Sequence, residues 1–341
     1  VSNPLEAVLR RVDDFQQSHR PLSFFFGVVK KYGDDQAGSL AALITYYTFL
    51  SLFPLLLVLV TILGILVGGS SSIAQHVQSS ALGQFPVIGP QLKGHIGTLH
   101  GNPVALVIGI LGLVWGSLGA SQAGQYAMAQ VWNIPMVDRP GFVPRLVRSL
   151  LLLVTLGVFL IVSTGLSGFT TFAGSQGAAV RVGSAVLSVI VDFGLFWAAF
   201  RILTPKEVPT GDLVAGAVAG AVAWAVLQIG GTALVGHELK HMSQVYSVFA
   251  TVLGLLWWIY LSAQIVLYVA EVNVVKSRRL WPRSIVQPPL TAADRQMLAT
   301  YARQQQRRPE HQVRVEFAGD TGKGGTPDQG RESRPASGQP S

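Results

Sequence analysis

Long apolar runs broken by short polar ones set the plan of this chain. From Gly38 to Gly68 it reads GSLAALITYYTFLSLFPLLLVLVTILGILVG, thirty-one residues without a charged side chain. At ~1.5 Å per residue a helix of that length exceeds the ~30 Å hydrocarbon core of a bilayer. A soluble core helix has no reason to be apolar on every face for so long. Similar runs recur at about 104–131, 146–172, 182–203, 213–235 and 246–275. The pattern predicts an all-α, polytopic membrane protein: six transmembrane helices over 38–275, preceded by amphipathic or interfacial helices (1–37) and followed by a basic, mostly disordered tail (276–341).

Polar punctuation adds detail to each run. In the first span Thr45, Tyr46, Tyr47, Thr48 and Ser51 form one hydroxyl-rich patch, and Pro54 follows. Proline frees the carbonyl of Leu50, four residues back, and predicts a kink. Gly112 with Gly116, and Gly216 with Gly220, have the spacing that lets helices approach closely. The second span turns polar toward its end, with Ser121, Gln122, Gln125 and Gln130 ahead of Trp132-Asn133. Before the first span, Asn3-Pro4 predicts a helix start, with Leu5, Val8, Leu9, Val12 and Phe15 at helical spacing. The segment Pro21 to Lys31 sets Leu22, Phe24, Phe25 and Phe26 beside Lys30 and Lys31. It reads either as an interfacial helix on an anionic leaflet or as a small helical cap on the bundle. Beyond Trp281-Pro282 the chain is expected to leave the bundle, with Thr291 and Asp294 capping one short helix to about Arg308. Residues 319–341 are dominated by Gly, Pro and Ser and predict disorder.

Composition agrees with a membrane solvent. Half of the 341 residues are hydrophobic, 12% are charged and the mean hydropathy is +0.44, against about 25% charge in soluble domains. The net charge of +8 is explained by topology: if the segments outside the spans alternate sides, twenty-two of the twenty-five Lys and Arg fall on the side of the two termini. By the positive-inside rule both termini are cytoplasmic. No secretory leader is read in residues 1–37. Without cysteine there is no disulfide framework and no thiolate metal site.

Candidate chemistry is sparse. Asp192 is the one acidic residue deep in a span, and a carboxylate there is costly unless it faces the bundle interior or a water-filled cavity. A pathway role and a structural hydrogen bond are both open for it. With Tyr46, Tyr47, Ser51, Gln122, Gln125, Gln228, Gln264 and Glu271 it makes a candidate polar lining, although interhelical hydrogen bonds would explain any one of these alone. His237-Glu238-Leu239-Lys240-His241 matches H-E-x-x-H, two imidazoles and a glutamate suited to zinc. It falls in a short external loop and lacks a third protein ligand by motif, so a solvated loop is the preferred reading. His76, His95 and His100 in the other external loop are the remaining imidazoles on that side. No nucleotide-binding loop, no G-x-S-x-G nucleophile and no cofactor motif is present. The cytoplasmic cations are spread over loops, not set in a groove with stacking aromatics, so no nucleic-acid partner is expected.

Four stretches resemble the YihY/BrkB family of bacterial inner-membrane proteins. They are Ala42–Leu57 with YYTFLSLFPLLL, Ala123 to Pro135, Thr204-Pro205 to Gly216, and Tyr246 to Val275 with LLWWIYLSAQIVLYVAEVN and its terminal Glu271-x-Asn273. The likeness covers about residues 20–280. One departure is Val269, where the family often has glycine. The resemblance implies a multi-pass inner-membrane protein whose relatives carry conflicting labels: a serum-resistance virulence factor, a ribonuclease BN, and a suspected exporter of lipid or lipopolysaccharide precursors. The ribonuclease label finds no support in these residues, since the cytoplasmic segments hold only His19 and His311, and no enzyme is expected. The expected function is transport or export of a lipid or envelope-related substrate. The alternatives are a non-transporting envelope-assembly scaffold and, last, an external zinc hydrolase. Membrane lipids are the expected partners, and homo-oligomerisation is open.

Overall fold

Helix geometry carries the apolar runs across the molecule, and the computed structural model describes residues 4–67, 103–173, 178–238 and 244–317. Among them there is no strand. Two short helices, α1 (Pro4–Ser18) and α2 (Arg20–Asp34), lead into six long ones. These are α3 (Ala37–Val67), α4 (Pro103–Val131), α5 (Phe142–Ala173), α6 (Ala178–Leu203), α7 (Val214–Glu238) and α8 (Gln244–Arg278), and a final short helix, α9 (Ala292–Gln304), follows. The long helices coincide with the expected spans to within a few residues. Among the described residues five segments are long and apolar enough to cross a membrane: Val107–Val131, Phe142–Ser163, Val186–Leu203, Thr210–Gln228 and Val252–Arg278. In α3 the apolar segment Ala37–Leu52 is shorter than these.

The long helices close into a ring. Each packs on its sequence neighbour, and α8 returns to α3. The outer wall is apolar: Val147, Leu151, Val154, Val158 and Ile161 line one exposed face of α5, and Trp115 of α4 is 81% exposed. Exposed aliphatic stripes at three- and four-residue spacing are what hydrocarbon, and not water, solvates. In α7 valines 218, 222 and 226 point out while Ala217, Gly220 and Ala221 are buried.

Small residues set the helix contacts. A Cβ on Gly116 would lie 2.8 Å from the Cα of Ser51, one on Gly112 3.0 Å from the Pro54 ring, and one on Gly119 2.6 Å from the Tyr47 ring. The first span's polar patch and proline therefore seat on a glycine stripe of α4. Both expected glycine pairs serve as close-contact faces, Gly216 against α8 and Gly220 against Phe196 of α6.

The buried core is concentrated at one end of the ring. Val28, Tyr32, Ala37, Val131, Trp132, Phe200, Leu213, Leu267, Val274, Leu280 and Met297 belong to one cluster. The chain beyond Arg278 does not leave the bundle there. It folds back across α1, α2 and the end of α4 as a strap, as far as Gln306, whose carbonyl accepts the Val137 N–H. Within it α9 is capped as expected: Thr291 Oγ1 accepts from the Asp294 N–H at 3.1 Å and the Asp294 carboxylate accepts from the Thr291 N–H at 3.2 Å. Residues 319–341, expected to be disordered, lie outside the described residues.

Candidate functional site: a buried ionic node at one end of the ring

Two lysines in succession on α2 are used differently from a headgroup-binding pair. Gly27 lets α2 lie close to the end of α8, since a Cβ there would be 3.1 Å from the Leu280 carbonyl oxygen. Tyr32 stacks on Tyr268, ring centroids 3.8 Å apart. Between these contacts Lys31 is fully buried. Its ammonium donates to the Val131 carbonyl at 2.7 Å and to Asp35 Oδ2, and lies 3.0 Å from Glu271 Oε2. The Glu271 contact is ionic and not a well-directed hydrogen bond. Neither Glu271 oxygen has a donor in good geometry among the described residues.

Asp35 sits in the turn between α2 and α3, where Gln36 takes a φ of 52°. Its Oδ1 accepts from Asn133 Nδ2 at 3.3 Å. Asn133 ends α4 with a φ of 50°, and Ile134 N–H bonds back to the Ala129 carbonyl at 2.8 Å. That is a Schellman end, which favours glycine or asparagine at the left-handed position. Trp132 is buried, with the Arg278 guanidinium 5.9 Å above its ring and donating to its carbonyl at 2.7 Å.

A second tier surrounds Asp294. Its carboxylate accepts from Arg283 Nε at 2.6 Å, Lys30 Nζ at 3.0 Å, the Ser284 hydroxyl at 2.7 Å and the Ser284 N–H at 3.0 Å. Burial alone would raise this carboxyl, but the Ser284, Arg283 and Thr291 donors outweigh it and hold Asp294 well below the usual carboxylate range. Arg283 also reaches Asp34 Oδ2 at 2.8 Å. Burial likewise works to raise Asp13, yet bonds from Gln17, Gln16 and the N–H groups of Ile285 and Val286 keep it below its ordinary value. Burial, with Tyr268 and Tyr260 beside it, pushes the Tyr32 phenol up to about 12. Burial first, then the Asp35 charge, raises Tyr301 of α9.

The two tiers tie α1, α2, α4, α8 and α9 into one unit. They flank a polar cleft of about 390 Å³ lined by Lys30, Asp34, Arg283, Asp294, Leu298 and Tyr301, among others. Removing one member of a buried pair strands the other, a cost of about 3–5 kcal/mol. Such a node is a latch: rigid while its charges are matched, unstable once one partner moves away.

The candidate lining residues fall at separate helix contacts. Glu271 belongs to the node, and Gln264 lies beside the Tyr32 phenol on the same flank. Gln125 is buried between α4 and α5, donating to Ser149 Oγ at 3.0 Å and to the Arg145 carbonyl at 3.1 Å. Tyr47 and Ser51 lie in the α3–α4 contact, with Ser51 Oγ donating to the Thr48 carbonyl at 2.7 Å. Tyr46 is 60% exposed on the outer wall of α3. Gln122, Asp192 and Gln228 are half-buried on α4, α6 and α7. Helix α3 continues through Pro54 to Val67. His237 and Glu238 close α7, His241 lies outside the described residues, and among the described residues no cluster suited to a metal ion occurs.

The node's Lys31, Asp35, Asn133, Arg283 and Asp294 were not among the sequence candidates. Lys31 and Asp35 stand four residues apart at the end of α2, which was the available signal, but two lysines after a run of phenylalanines resemble an interfacial helix equally well. Asn273 carries the other half of the Glu271-x-Asn273 pattern. Its side-chain oxygen accepts the Gly216 N–H at the start of α7, where a Cβ on Gly216 would sit 2.3 Å from the Val269 carbonyl oxygen.

Residues 28–290 match the family model described as virulence factor BrkB. The chain is 28% identical to a UPF0761 membrane protein of Pseudoalteromonas atlantica, over 70% of this chain and 79% of that protein. It is 25% identical to the inner membrane protein YhjD of Escherichia coli, over 79% and 85%. A UPF0761 membrane protein of Psychrobacter is 23% identical over 82% of this chain and 53% of its own length. No solved structure matches.

Proposed function

This chain belongs to the virulence factor BrkB family of membrane proteins, and from that premise we propose that it is a transporter that exports a lipid or another envelope-related substrate. In this reading six helices span the inner membrane, both termini are cytoplasmic, and the ionic node is the latch that closes the cytoplasmic end of the path. The observation that carries the reading is the full burial of Lys31 and Glu271 against each other at the end of an apolar ring. Ionisable groups packed inside a membrane bundle are expensive to keep and belong by default to pathways and gates. A relative named an inner membrane protein supports the location. The half-buried Asp192, Gln122 and Gln228 are the groups that a polar headgroup would meet between the helices. The chain acts without a cofactor, with membrane lipid and not nucleic acid as its partner, and not as an enzyme.

The test is export from cells carrying Asp192→Asn, Tyr47→Phe or Gln125→Ala, with protein abundance matched. Loss of export in at least one variant supports the path, and full export in all three removes it. Deleting residues 318–341 while keeping the strap separates transport from scaffolding: a transporter keeps its activity, whereas a scaffold that recruits partners through this tail loses it.

A further inference from the structure

A second feature lies on the outside of the same end. Helices α2 and α8 run antiparallel there. Tyr32 stacks on Tyr268 at one end of the contact, and at the other Phe24 meets Trp281 edge-on with centroids 5.2 Å apart. Between these two aromatic closures runs an open groove of about 360 Å³. Phe24, Phe25, Val28 and Val29 form one wall, and Tyr268 and Val272 belong to the other. Phe25 stands 67% exposed at its lip. Water is a poor occupant for a trough whose walls offer almost no polar atom.

Charge identifies a better one. Arg20 precedes Phe24 by one helical turn and Lys276 follows Val272 by one turn, so on antiparallel helices both cations stand at the Trp281 end. Both are exposed. Trp281 marks the depth at which indoles settle between hydrocarbon and headgroups. An apolar trough leading to a two-cation mouth beside such a tryptophan matches a molecule with a long apolar tail and an anionic head.

We propose that this groove is a specific site for one anionic phospholipid, its acyl chain between α2 and α8 and its phosphate at Arg20 and Lys276. The site is separate from the ionic node and stands whether or not the chain is a transporter. In it the lipid would wedge α2 against α8 beside the node.

The test uses the full chain in detergent and native mass spectrometry with phosphatidylglycerol or phosphatidylcholine of identical acyl chains. One phosphatidylglycerol should be retained, with a preference of about thirty-fold from two cations near a headgroup. Arg20→Gln with Lys276→Gln, both at exposed positions, should abolish the preference. Val29→Phe at the open lip should reduce retention of both lipids, with unchanged melting confirming that each variant folds. Equal retention of the two lipids in the native chain, a preference that survives the double variant, or a dimer mass showing a second copy on this face would each overturn the proposal.

Discussion

The contact between α3 and α4 and the contact between α2 and α8 both bring backbones close, by opposite means. The first uses Gly112, Gly116 and Gly119 against Pro54, Ser51 and Tyr47, with no ion pair among those groups. The second encloses Lys31, Asp35 and Glu271. In lipid, apolar burial gives no net drive between helices, so shape and van der Waals contact decide. At the end of the ring, where the strap excludes water, charges hold the arrangement and also make it conditional. A glycine stripe fails gradually as it is filled, and an ionic node fails when one member is removed.

The sharpest break should come from Lys31→Met, which leaves Asp35 and Glu271 facing each other. We expect a loss of about 3–5 kcal/mol, read as a drop in thermal stability of the detergent-solubilised chain, with Asp35→Asn and Glu271→Met added to it restoring part. Next is Gly216→Ala, whose methyl meets the backbone of α8. A loss of about 1–3 kcal/mol is expected for such overpacking, with Gly33→Ala, which meets nothing within 4 Å, as the neutral control.

Asp294→Ala strands the buried guanidinium of Arg283, which keeps only Asp34, so it should cost about 3 kcal/mol and, more tellingly, release the strap to limited proteolysis while the ring stays intact. The same carboxylate predicts a pH response. Its folded pKa lies below the unfolded 3.8, so its contribution is complete above the unfolded value and is lost as pH falls past it. Strap protection should therefore vanish in acid, and less so in the variant. Tyr32 responds at the other extreme, its contribution complete below pH 10 and lost as pH rises through about 12. The smallest effect is Gly112→Ala, where the Pro54 ring at 3.0 Å can shift, costing at most about 1 kcal/mol.

The ring was legible in the sequence because hydrocarbon imposes a length and a composition that nothing else in the chain satisfies. Helices α3 to α8, the glycine faces and the Thr291–Asp294 cap all follow from local pattern. Glu271 was visible as a polar residue near a span end, but its partner was not. Lys31 is distant in sequence, and a lysine beside phenylalanines fits a membrane surface as well as a buried pair. The strap was hidden for a similar reason. Its interactions are made by isolated residues such as Arg283, Asp294 and Gln304, each reaching a different helix, and no periodicity announces contacts of that kind.

The distance between partners along the chain has a consequence for biogenesis. Asp294 is the 264th residue after Lys30, and Lys31 emerges equally early. Until the chain is nearly complete Lys30 lacks its carboxylate mate, and Lys31 has Asp35 but not Glu271. The newborn amino-terminal pair must therefore wait at the aqueous surface, and docking onto the ring becomes a late, nearly post-translational event that a ribosome-stalled intermediate would lack.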